Sequence, residues 1–245
     1  MTGTQLGTVG LLVIFPFLAA IVGGIIPALR WPGARLISGM QHFAAGAVIA
    51  VVALDVLPGV QQQGQLGIAT LGFVLGVVVL LGLRQLETRH SDMPHDHPSN
   101  TLPIGLLVAV GVDLLVDGIL VGLSVATLGV AQGVSLTIAL TLVVLPLAVS
   151  VSVELSNRGF SAVKAALIPP LLSLALVAGA IGAVVFLGSA PAGLLAGIFA
   201  FGIAALLYLA VEDLLIEAHE TVDTPLVAAM FFVGFFALYA LDASH

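Results

Sequence analysis

Cysteine is absent from the 245 residues, so the chain has neither disulfides nor thiolate metal ligands. Charge is scarce as well: charged residues make up 8%, and Lys and Arg together number six. Six cations cannot form a basic surface, which excludes a nucleic-acid partner. No Gly-rich loop with its lysine is present to cradle a phosphate, so the chain does not read as an ATPase. No short cationic segment with a small-residue cleavage site opens it, and the first apolar run is expected to stay as a span. What is present is 60% hydrophobic, with a mean hydropathy of +1.24. That lies outside the soluble globular range and implies one all-α polytopic membrane domain over residues 1–245.

At ~20 residues per span, hydropathy divides the chain into eight transmembrane helices near 6–29, 36–58, 66–83, 102–129, 134–156, 163–187, 191–216 and 224–242. Turn-formers separate them: Trp31-Pro32-Gly33, Gly59 with Gln61-Gln62-Gln63-Gly64, Gln132-Gly133, Gly188 to Pro191, and Thr224-Pro225. All six cations fall in even-numbered connections: Arg30 and Arg35, Arg84 and Arg89, Arg158 and Lys164. By the positive-inside rule the even connections face the cytoplasm and both termini face outward. The connection after the seventh span is acidic (Glu217, Glu220, Asp223), but Asp and Glu weigh little in that rule.

The informative residues are acids inside these runs. Asp113 and Asp117 stand four apart in the fourth span, so both side chains share one helix face. An ionised carboxylate at mid-bilayer costs several kcal/mol unless it meets protein, a cation or water. Two so close need a cation or a proton between them. Asp55 lies near the outer end of span two, Glu154 towards the inner end of span five, and Glu212 and Asp213 towards the inner end of span seven. Glu212 and Asp213 are adjacent and point to different faces, so at most one should face a path. No Lys or Arg lies within a span to neutralise any of these acids, which argues for a bound cation. Glu154 also stands four residues before Arg158 and can pair with it. His42, opening span two, reads as a headgroup-level residue. The cytoplasmic loop 84–101 alternates His90, His95 and His97 with Asp92 and Asp96, a tract that either binds metal weakly or stays disordered. His219, beside Glu217 and Glu220, is a lesser exit-site candidate.

There is also a weak internal repeat. Phe43-Ala44-Ala45-Gly46 precedes Asp55 much as Phe199-Ala200-Phe201-Gly202 precedes Glu212 and Asp213, with the spacing off by one or two residues. Spans two and seven run in opposite directions, so the match would be an inverted repeat of the sort found in transporters. Chance similarity between small-residue helices is the alternative.

These segments resemble the ZIP (Zrt/Irt-like) divalent-metal transporters over most of the chain. His42-Phe43-Ala44-Ala45-Gly46 through Leu54-Asp55-Val56-Leu57-Pro58 is similar to the family's F-A-A-G…H-L-L-P helix, with Asp55 where histidine is usual. Asp113-Leu114-Leu115-Val116-Asp117-Gly118 is similar to H-N-x-x-[DE]-G, with Asp113 replacing histidine and Leu114 asparagine. Span five matches poorly. Only Glu154 survives of H-E-x-P-[HE]-E, and a shift of one residue would make Ser150 and Glu154 the ligand pair. Tyr208-Leu209-Ala210-Val211-Glu212-Asp213 places Asp213 at an acidic family position. The resemblance implies a 3+2+3 bundle in which spans two, four, five and seven surround a metal path. The family's two-metal centre is not matched, since spans four and five hold no histidine.

The function expected on this basis is import of a divalent cation, with zinc first by family. Carboxylate ligands suit Mn²⁺, Fe²⁺, Cd²⁺ or Mg²⁺ about as well. The candidate ligands are Asp113, Asp117, Glu154, Asp213, Asp55, Glu212, Ser150, His90, His95 and His97. No enzymatic activity and no cofactor are expected. The expected partners are the metal ion as cargo and the bilayer of a cell membrane, with a homodimer as the candidate assembly. Two other classes stand beside it: a proton-coupled solute carrier using Asp113 and Asp117, and a non-transporting relative that senses metal. An intramembrane aspartyl protease would need its two acids on separate helices. The orientation is checked with single cysteines, which meet no background. A cysteine at Ser99 should be labelled only from the cytoplasm and one at Gln62 only from outside; the reverse pattern would overturn every assigned depth.

Overall fold

The computed structural model describes residues 2–29, 33–91, 102–219 and 224–243. It is 92% helical and has no strands among the described residues. Seven helices are long and apolar enough to cross a membrane: α1 (Gly3–Leu29), α2 (Ala34–Gln62), α4 (Ile104–Leu128), α5 (Val130–Asn157), α6 (Ala162–Leu187), α7 (Ala192–Leu214, continued by Leu215–His219) and α8 (Pro225–Asp242). Between the second and fourth lies α3 (Leu66–Ser91), which begins with the apolar stretch Leu66–Gly82.

Several boundaries differ from the sequence expectation. The third helix continues to Ser91, so the first part of the expected 84–101 loop, including the backbone of His90, is helical. Gln132 and Gly133, expected as a turn, lie inside α5; the turn is taken one step earlier by Gly129, whose φ of 125° suits glycine. Gln61 and Gln62 are likewise helical, and the turn falls at Gly64 with φ 64°. The first helix is interrupted at Val13, between Thr2–Leu12 and Ile14–Leu29. Pro16 explains this, because it has no N–H to give the carbonyl of Leu12.

Large apolar side chains on the outer faces of α1, α3, α6 and α8 are exposed, among them Phe15, Leu71, Leu171 and Phe236. Such a continuous belt would not be stable in water and marks a lipid-facing surface. The apolar stretches of α2, α5 and α7 are mostly buried, so these three form the centre. Contact is closest between α2 and α8, α3 and α7, α4 and α6, and α1 and α5. Exchanging α1–α3 with α6–α8 and α4 with α5 maps this set of pairs onto itself.

Every one of the four crossings depends on a missing side chain. A Cβ on Gly46 would lie 1.9 Å from the Phe231 carbonyl oxygen of α8, and one on Gly118 would lie 2.0 Å from that of Leu176 in α6. The corresponding distances are 2.2 Å for Gly72 to Gly197 and 2.5 Å for Gly23 to Leu145. With no hydrophobic force between helices in lipid, close backbone approach supplies the association. Gly46→Val should therefore cost about 1–3 kcal/mol through overpacking, read as thermal unfolding in detergent. Gly67→Ala is the control, because a Cβ there meets nothing within 4 Å. Equal melting temperatures for the two variants would refute the close approach.

Candidate functional site

Asp113 and Asp117 lie about 13 and 20 Å along α4 from Ile104, at ~1.5 Å per residue. At Gly118 the helix meets α6, and at Leu120, which lies over Gly202, it meets α7. Beside these contacts Asp117 is 1% exposed, and neither of its carboxylate oxygens has a hydrogen-bond partner among the described residues. Such a group costs free energy unless something else answers it. Asp113 is partly buried and close enough for its charge to interact with those of Asp117 and Asp213. Asp213 is exposed on α7, so the structure brings together the expected α4 pair and the acid of the seventh helix.

A second acidic pair sits at the other end of the bundle. Asp55 is buried at the end of α2, accepts a hydrogen bond from Ser135 of α5, and interacts with the charge of Asp242 on α8. Its Oδ2 has no partner among the described residues. Sequence reasoning missed Asp242 and Ser135. The signal was available: spans two and eight run in the same sense, so the last residues of both reach the same level.

Asp55 and the Glu212–Asp213 pair share an unusual backbone. Val52–Val56 and Leu209–Leu214 are π-helical, with i→i+5 hydrogen bonds from the Leu57 N–H to Val52 and from the Leu215 N–H to Ala210. A π turn inserts an extra residue and re-aims the side chains around it, and such turns are frequent at functional sites. The first contains five residues and the second six.

Glu154 is engaged locally instead. The Glu154 carboxylate accepts a 2.6 Å hydrogen bond from Arg158 Nε, four residues on, and both side chains are about a third or more exposed. This is the local pair that the spacing allowed, worth no more than about 0.3–0.5 kcal/mol at such exposure. Ser150 is partly buried one turn earlier, and Glu212 is partly buried beside Asp213. His90 lies on the last turn of α3, its side chain outside the described residues, and His95 and His97 are outside them altogether. Among the described residues, no three His, Asp or Glu side chains are grouped to hold a metal ion.

His42 departs from the headgroup position expected of it. It is 3% exposed, with its ring 5.1 Å from that of His219 in a tilted arrangement. Its Nδ1 lies 2.9 Å from the Ser38 carbonyl, and His219 Nδ1 bonds the Leu215 carbonyl in the same i−4 pattern. A carbonyl only accepts, so each Nδ1 carries the proton. Ser38 Oγ adds a 2.9 Å bond to the Ala218 carbonyl, tying the start of α2 to the tail of α7. These local bonds make burial of the imidazole tolerable.

No protein-family model and no curated protein matches the chain.

The arrangement can carry a positive charge past oxygen donors without any built-in cation. Asp117→Leu tests how far Asp117 lacks a structural partner. Replacing a buried, unpartnered carboxyl with an apolar side chain of similar size should raise stability by about 1–3 kcal/mol, at roughly 2–4 °C per kcal/mol. A fall of that size on thermal unfolding would mean that Asp117 holds a partner needed for folding.

Proposed function

We propose that the protein is a multi-pass membrane carrier for a divalent metal cation, with Asp117 at the centre of its path and Asp113 and Asp213 beside it. The observation that carries this reading is Asp117 itself: two buried carboxylate oxygens without a partner among the described residues, one turn from a second acid that interacts with a third. The proposal takes eight membrane-crossing helices with both termini outside and movement of metal into the cytoplasm. The resemblance to ZIP transporters supports it through the Asp117-Gly118 match in α4 and the acidic position of Asp213 in α7. Oxygen donors set the expected cargo among Zn²⁺, Mn²⁺, Fe²⁺, Cd²⁺ and Mg²⁺, with zinc first on family resemblance alone.

One observation favours a second reading. Because no three ligand-type side chains are grouped among the described residues, the same aspartates could carry protons for a solute carrier. A single experiment separates the two. Purified protein is reconstituted in vesicles containing both a metal-sensitive and a pH-sensitive dye, and several divalent ions are applied in parallel. The carrier reading expects metal entry that falls at least about tenfold in Asp117→Asn, the scale of losing ~1.4 kcal/mol or more of ion stabilisation. Glu154→Gln, which removes only the local pair with Arg158, should retain most of the flux. Metal entry undiminished in Asp117→Asn would remove the central claim; proton movement without any metal entry would select the second reading.

A further inference from the structure

A cavity of about 300 Å³ opens between the beginnings of α2 and α8 and the middle of α5. Its walls are apolar: Leu36, Met40 and Phe43 from α2, Leu142 and Leu145 from α5, and Met230 from α8. Among the described residues, Arg35 is the one charged side chain that lines it. Arg35 is exposed, and among the described residues it has no carboxylate partner, in contrast to Arg158, which is held by Glu154. Both helices that begin at the cavity start without an acidic residue in the first turn, and the Gly33 cap of α2 offers no side chain to its N–H groups. The uncapped start of α2 and a guanidinium with no carboxylate partner among the described residues therefore stand over an apolar slot, beside an α8 start that Thr224 caps.

We infer that this slot holds one acyl chain of an anionic phospholipid, with the headgroup phosphate on Arg35. The occupant follows from charge and shape together. An acyl chain answers walls with no polar side chain other than Arg35, and a net negative headgroup answers an unpaired guanidinium, which binds phosphate through paired N–H groups. A zwitterionic choline headgroup would bring its own cation to the same mouth. The two methionines give the walls the adaptable, polarisable surface that suits a flexible chain. The site would tie the α2–α8 pair to α5, at the opposite end of α2 from Asp55. It is independent of what the aspartates carry.

The test uses the full chain, stripped of lipid in detergent and titrated with phosphatidylglycerol or phosphatidylcholine under native mass spectrometry. One phosphatidylglycerol should be retained, with a preference over phosphatidylcholine of roughly fivefold, the effect of one basic residue near an anionic headgroup. Arg35→Gln should erase the preference while leaving some retention of both lipids. Gly39→Leu should lower retention of both, since a Cβ at Gly39 meets only Met230 Cγ, at 3.9 Å, and a larger side chain grows into the slot. Equal retention of the two lipids by the unaltered chain would overturn the inference, as would phosphatidylglycerol retention unchanged in Arg35→Gln. So would a dimer in the same spectra that Gly39→Leu dissolves, because a second copy would then be the occupant.

Discussion

A dry carboxylate needs an answering charge, proton or hydrogen bond, and the placement of Asp117 turns on that requirement. Burial at 1% exposure removes water, and the absence of a partner among the described residues removes the usual compensation. The neighbouring acids sharpen the demand, because Asp113 adds charge of the same sign and itself interacts with Asp213. A folded protein tolerates this only if the site is filled from outside the chain or is kept neutral. The surrounding sequence offers no relief, since all six Lys and Arg lie in the connections or within a few residues of a helix end. Structure and composition therefore press the same point from two directions.

The helices that carry the acids are held by contacts with little specificity of side chain and much of backbone. Glycines at the crossings let carbonyl groups of one helix press against the next, as Gly46 does at Phe231 and Gly118 at Leu176. The prolines contribute to the same end. Pro170 cannot bond the carbonyl of Ala166, and that oxygen is the atom which a Cβ on Gly24 would meet at 2.5 Å. In α5, the Ser152 hydroxyl bonds the Gly24 carbonyl at 3.0 Å and ties that helix to α1. Small residues thus account for most of the architecture, and the buried acids, with the Gln41 amide, are the groups it leaves without partners among the described residues.

Much of this was legible in the sequence, and the reasons for what was not are physical. Hydropathy reveals apolar runs because each span must satisfy the same bilayer, and the run 66–83 lies at the start of a helix that continues to Ser91. The Asp113–Asp117 pair was visible because helical spacing is fixed at 3.6 residues per turn. Glu154 could be read either as a ligand or as a partner of Arg158, and spacing alone could not choose between a neighbour on the same helix and one across the bundle. His42 was misjudged because its position near a helix end says nothing of the opposing helix, and it is the approach of His219 that covers it. The π turns left no local mark: Val52–Val56 and Leu209–Leu214 contain ordinary helix-forming residues.

The crossings also divide the acids into two kinds. Asp55 and Asp242 belong to α2 and α8, which are locked together by backbone contact at Gly46 and Gly234. Asp113 and Asp117 share a helix. The separation within each of these pairs is therefore set by rigid elements. Asp113 and Asp213 differ, because α4 is locked to α6 and α7 to α3, and only lighter packing joins the two units. Relative displacement of the α4–α6 and α3–α7 units would change the distance between Asp113 and Asp213 first, and leave Asp113–Asp117 and Asp55–Asp242 as they are. The π turn at Leu209–Leu214 carries Asp213 and packs on α2, so a shift of α7 relative to α4 would also have to move that turn against α2.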